Sequence, residues 1–179
     1  MKTSLKALFI ATTIFSCSTV IAQSITSEIH LLNSNSKNNG IGGNIGTITF
    51  SSSPQGLIIK TNLKGLPSGF HGFHIHQNPS CDFALKNKKE VPGLAAGGHL
   101  DPHHTHKHYG PNALGHTGDL PALFVNKKGV AKETLNAPNL TLAEIKGRSV
   151  MIHLHGDNYR DQPQKLGGGG PRIACGVIK

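Results

Sequence analysis

Charge is scarce in this sequence. Asp, Glu, Lys and Arg make up 15% of its 179 residues while 36% are hydrophobic, a balance that argues against disorder and for a buried core. Tryptophan is absent, and nine acids face 18 basic residues. No amphipathic run of ordinary helix length occurs, which excludes a helical bundle. Nor is there an apolar stretch of the roughly 20 residues that a membrane-spanning helix needs. The longest, Ala7–Ala22, is mildly apolar and holds several Thr and Ser. It follows Lys2 and Lys6 and ends in Val20-Ile21-Ala22 before Gln23, the layout of a secretory signal peptide. Residues 1–22 are therefore expected to be cleaved on export, leaving one mature domain at 23–179 with no stable membrane insertion. Lipoprotein anchoring through Cys17 is disfavoured by the bulky Phe15 ahead of Ser16.

Cysteine is rare as well. Cleavage removes Cys17 and leaves Cys81 and Cys175, which in an oxidising compartment most simply form one disulfide. The formal net charge of +9 loses only Lys2 and Lys6 with the leader. An exported protein rarely meets nucleic acid, and the basic residues are scattered apart from Lys86, Lys88 and Lys89. The excess is read as attraction for small anions or anionic surfaces, and no nucleic-acid partner is expected.

What the chain does have is glycine (22), proline (10) and histidine (12). Short β-rich runs recur between turn signals, at 25–32, 45–51, 57–62, 70–76, 122–125, 130–135, 149–155 and 173–178. Ile45-Gly-Thr-Ile-Thr-Phe50 alternates apolar with polar, the half-buried strand pattern, and Asn39-Gly40 and Lys128-Gly129 suit hairpin turns. Regular short strands predict an antiparallel sandwich or barrel. Two long segments, 77–120 and 157–171, break the rhythm, and loops of that length in a small domain usually carry function.

Eleven of the twelve histidines lie between positions 71 and 155. Neutral imidazole suits zinc and copper, and clustering with Asp points to metal. His74-Ile75-His76 in a strand puts both imidazoles on one face, where they serve either a polar sheet face or an ion. The spacing recurs at His153-Leu154-His155. In the long loop, His99, His108, His116 and Asp119 supply three imidazoles and a carboxylate, a closed set of the structural-zinc type. Spacing alone leaves zinc and copper unresolved. His103, His104 and His106 crowd the same loop, as a metal-capture patch or as a solvated polar turn.

Five segments together carry a resemblance. They are Gly69-Phe-His-Gly-Phe-His-Ile-His76, Ala96-Gly-Gly-His-Leu-Asp-Pro102, His116-Thr-Gly-Asp-Leu-Pro121, Met151-Ile-His153 with Gly156-Asp-Asn158, and Gly170-Pro-Arg-Ile-Ala-Cys-Gly-Val-Ile178. In this order, across nearly all of the mature chain, they closely resemble the copper/zinc superoxide dismutases, and best the exported bacterial branch. The resemblance implies an all-β fold, a Greek-key β-sandwich or flattened barrel with two long functional loops. It implies one copper and one zinc ion per subunit, with copper at His74, His76, His99 and His153 and zinc at His99, His108, His116 and Asp119, so that His99 bridges the metals. It gives Asp157 the place of a carboxylate holding one imidazole from each site, and His71 that of a histidine bracing the nearby backbone. Arg172 matches the family's active-site arginine, and Cys81–Cys175 its disulfide. His99 and Arg172 are thereby the expected catalytic residues, with superoxide anion as substrate, O2 and hydrogen peroxide as products and the periplasm as location.

His155 departs from the pattern, standing where relatives of this branch usually have a small residue. His153 is preferred as the ligand because Gly156 and Asp157 follow it at the family spacing. A non-catalytic copper/zinc binding protein on the same fold is the alternative function. Such a protein has no use for an arginine aimed at a small anion, which Arg172 supplies. The sequence leaves monomer and homodimer both open.

Overall fold

The computed structural model describes residues 23–34 and 37–179. The predicted leader, residues 1–22, lies outside the described residues.

The alternating pattern read from the sequence forms strands with one face inward. In β1 (Ser24–Leu32), β2 (Ile41–Ser53) and β3 (Gly56–Lys64) the buried positions step by two, as with Ile48 and Phe50, or Leu57, Ile59, Thr61 and Leu63. The turn from β1 to β2 passes through Asn39 and Gly40, both at positive φ, as expected there. The chain continues through β4 (Gly69–His71), β5 (Phe73–His76), β6 (Ala84–Lys86), β7 (Lys89–Val91), β8 (Leu123–Val125), β9 (Val130–Ala131) and β10 (Thr134–Ala137). A one-turn helix α1 (Leu142–Ile145), closed by a Thr141–Glu144 capping box, precedes β11 (Arg148–His153) and β12 (Arg172–Ile178).

The main sheet is antiparallel, in the order β10-β3-β2-β1-β12-β11-β5, with β9 also on β3. The last strand in sequence returns beside the first, and β11 and β5 follow it. This non-sequential return, on a curled and partly closed sheet, agrees with the Greek-key β-sandwich implied above. Ile29, Phe50, Ile59, Phe73, Ile75 and Ile152 fill its interior. β11 is buried on both faces: Val150 and Ile152 meet this core, whereas Met151 packs with Cys81 and Cys175. Those cysteines are bonded, with Cα atoms 5.7 Å apart.

Several expected boundaries move. The run 70–76 is two strands, because the chain changes sheets at Gly72: β4 pairs with β8, β5 with β11. Gly72 N donates to the His155 carbonyl and its own carbonyl accepts from His153 N, so its polar groups bind the far strand's end. β11 stops at His153, and the run 130–135 divides between β9 and β10. The long first loop, expected as irregular chain, contains a hairpin, β6–β7. Among the described residues no helix is long and apolar enough to cross a membrane.

Candidate metal centre

β5 supplies the first two imidazoles, and its register on β11 sets His74 opposite Met151 and Ile75 opposite Val150. Its other edge is covered by the long loop. Ile75 N donates to the Gly118 carbonyl at 2.8 Å and Leu100 N to the Ile75 carbonyl at 2.8 Å, which sets His99 against His76 and Asp119 against His74. Gly118 has to be glycine for this approach, since a Cβ there would lie 2.3 Å from the Ile75 carbonyl oxygen. His153 enters at the end of β11, where a bulge shifts it opposite Arg172.

Two groups of potential ligand atoms result, each within 4.8 Å of one another and made of buried residues: His74, His76, His99 and His153; and His74, His99, His108 and Asp119. His99 belongs to both. His116 borders the second group, with Nδ1 3.6 Å from Asp119 Oδ1 and its ring centre 5.3 Å from that of His99. His155 is exposed and outside both.

Hydrogen bonds to one nitrogen of each ring determine which nitrogen is left over. His74 Nε2 donates to Asp157 Oδ2 and His108 Nε2 to Asp157 Oδ1, both at 2.7 Å. His76 Nδ1 donates to the Gly97 carbonyl at 2.9 Å and His153 Nδ1 to the Gly170 carbonyl at 3.0 Å. The opposite nitrogens, His74 Nδ1, His76 Nε2 and His153 Nε2, are buried without a hydrogen-bond partner, as are His108 Nδ1 and His116 Nδ1, which face Asp119 oxygens at 2.9 and 3.6 Å outside hydrogen-bond geometry. Buried polar atoms seldom go unpaired, and here the orphans belong to the residues that converge. Such lone pairs are what a metal ion takes up, with the far N–H held by an oxygen. One all-imidazole group and one of imidazoles with a carboxylate fit copper and zinc in turn.

The electrostatics divide the site in two. Burial, with His99 next, lowers His74 and His76 well below the usual histidine value, and Arg172 adds to the effect on His76. Burial brings His153 down to about 4, with the charges of His99 and Arg172 contributing. Burial also lowers His99, against the opposing hydrogen bond from its Nδ1 to Asp119 Oδ1 at 2.9 Å. His108 behaves oppositely: burial works against its charge, but the carboxylates of Asp119 and Asp157, one beside each ring nitrogen, raise it to about 9. Asp119 is itself held far below the carboxylate range, because the rings of His108, His116 and His99 around it overcome its burial. The first group is thus kept neutral and ready to bind. In the second, the two carboxylates favour positive charge at His108, the charge that a metal ion would bring.

Arg172 begins β12 and stands beside the first group. Its Nη1 donates to the Gly93 carbonyl and its Nη2 to the Gly97 carbonyl, the latter at 2.6 Å. Among the described residues no carboxylate pairs with it, so its charge is not spent in a salt bridge. His71 braces the centre from outside, Nδ1 2.8 Å from the His153 carbonyl and Nε2 2.8 Å from the Pro67 carbonyl. Two further residues support the centre. Asp161 Oδ2 accepts from His108 N at 3.0 Å, and Asp101 accepts from Thr105 N and His106 N. Both act on backbone amides, for which side-chain spacing gives no signal.

Comparison with known proteins accords with this geometry. The family model described as copper/zinc superoxide dismutase matches residues 44–178. The chain is 49% identical over 177 residues to a Cu-Zn superoxide dismutase of Brucella abortus, covering 98% of this chain and all of that one. Among solved structures, a Cu/Zn superoxide dismutase from Brucella abortus superposes with a TM-score of 0.84 at 51% identity, over 88% of this chain and all of that one. A monomeric copper, zinc superoxide dismutase from Salmonella enterica gives 0.77 at 49%, over the same shares. Matches of this extent, on a chain whose unpaired imidazole nitrogens already converge in two groups, make it a member of the copper/zinc superoxide dismutase family.

Proposed function

We propose that this enzyme dismutes superoxide with copper held by His74, His76, His99 and His153 and zinc held by His99, His108, His116 and Asp119. The observation that carries the assignment is the set of five buried ring nitrogens without partners, each on a residue named here. Copper supplies the one-electron chemistry that converts one superoxide to O2 and a second to hydrogen peroxide, which zinc cannot provide. The chain's residues do the rest. Asp157 orients His74 and His108 together, tying the two sets by one carboxylate. His99 has Nδ1 on Asp119, so Nε2 is the nitrogen left toward the copper set and the atom at which a proton is taken up and returned. Arg172, fixed by two carbonyls, holds a permanent cation and free N–H groups beside that set, suited to a small oxyanion. His71 keeps the backbone at His153 in place.

All these residues come from one chain, so the two ligand sets draw on no second copy. The Salmonella enterica relative is itself described as monomeric. The leader-like residues 1–22 and the Cys81–Cys175 bond support export and, more narrowly, a periplasmic location. The decisive experiment measures metal content and superoxide-dismutating rate on the same purified mature protein. The expected result is one copper and one zinc per chain, with a rate that vanishes when copper is withdrawn. Full occupancy without activity would favour the metal-binding alternative.

A further inference from the structure

Among the described residues one more pair of imidazoles is brought together outside the buried centre. The ring centres of His104 and His106 lie 6.1 Å apart, inclined by 40°. Ring pairs within the proposed ligand sets span 3.9 Å, for His74 and His99, to 6.4 Å, for His74 and His76, a range that includes this separation. The turn that carries the pair is held from below. Asp101, 8% exposed, accepts from Thr105 N and Thr105 Oγ1 on one oxygen and from His106 N on the other. Both histidines take positive φ, 51° and 54°, with Thr105 between them. The Asp101 oxygens are used on the turn itself, so the two rings stand free of it. Both are exposed, and among the described residues neither ring meets a hydrogen-bond partner. His103, also exposed, adjoins them.

We propose that His104 and His106 form a separate surface site for a divalent transition-metal ion, with water completing the coordination. Two imidazoles and no charged ligand favour Cu(II) over Zn(II) and bind it reversibly, in contrast to the enclosed centre. The site stands independently of how the buried ligands are assigned, because none of those residues takes part.

The test uses protein whose buried sites are already filled with copper and zinc. This holoenzyme is titrated with Cu(II) and followed by calorimetry and electron paramagnetic resonance. One further equivalent per chain is expected, with a signal distinct from that of the enclosed copper and removable by a mild competitor such as free histidine. The double variant His104→Gln, His106→Gln loses that equivalent while its dismutation rate is unchanged, which also shows that it is folded. Absence of the further equivalent in the wild-type holoenzyme, or its persistence in the double variant, overturns the proposal.

Discussion

His153 and His155 are two residues apart, and a strand through both would aim them at the same face. The strand ends at His153 instead, so His155 points into solvent while His153 keeps Nδ1 on the Gly170 carbonyl and Nε2 unpaired. His153→Ala is therefore expected to abolish copper-dependent activity with the β fold intact, whereas His155→Ala keeps most of it. Copper content and circular dichroism of the two variants check this, and the reverse outcome would exchange their roles. Arg172 follows from the same kind of local fact. Its fork is held by carbonyls rather than balanced by an acid, which leaves its charge available to a small anion. Arg172→Glu should slow the reaction more than Arg172→Ala, and the wild-type rate should fall as salt shortens the Debye length to roughly 8 Å at 0.15 M. A rate indifferent to both would remove the steering role. At this scale the converging residues were largely legible in the sequence, since they are His and Asp at recognisable spacings. Asp161 and the Gly93 and Gly97 carbonyls were not, because they act by backbone contacts across 53, 79 and 75 residues of chain.

The long loops become rigid by binding to strands and to each other. Loop 77–120 lies along the open edge of β5, and the second loop sends Asp157 across to His74 and His108. Gly167 passes so close that a Cβ would fall 1.9 Å from Asp157 Oδ1, and its φ of +68° already disfavours any other residue by roughly 1–2 kcal/mol. Gly167→Ala should therefore displace Asp157. Loss of such a supporting carboxylate typically lowers metal affinity about 10–100-fold, which competition with a chelator measures. Unaltered affinity would mean that Asp157 is not needed to hold the rings. Asp119→Ala should lower zinc affinity and loosen loop 77–120, visible as a melting transition less sensitive to chelator than that of the wild type. Equal sensitivity would count against Asp119 as a zinc ligand. Most strands could be read from alternation, and both loops from its interruption. The break at Gly72 could not, because it depends on which sheet each half joins, and the β6–β7 hairpin is too short and too exposed to show a period.

Across the whole molecule, two kinds of cross-link supplement a modest core: the disulfide and the metal centre. Cys81–Cys175 joins β12 to the first long loop over a separation of 94 residues, and in the chain-entropy view such closure contributes up to about 4–5 kcal/mol. Its pairing was readable from cysteine count and compartment, whereas the packing of Met151 against it required the structure. Removing the metals exposes the second cross-link to pH. In the metal-free chain, His74, His76, His99 and His153 have folded pKa values lowered by burial, the last to about 4. The unfolded chain takes up protons at about 6.5 that the folded one refuses, so their contribution is complete above that pH and is lost as pH falls toward 4. His108 has the opposite sign. Although burial disfavours its charged form, Asp119 and Asp157 raise it to about 9, so its contribution is complete below about 6.5 and is lost as pH rises through 9. The melting temperature of chelator-treated protein should accordingly peak near pH 6.5 and decline on both sides. Binding of copper and zinc replaces those protons, so the loaded protein should vary much less between pH 6.5 and 9. Melting curves of the two forms across that range check the sign, and a metal-free midpoint that keeps rising to pH 9 would show that His108 is not held as a cation between the two carboxylates.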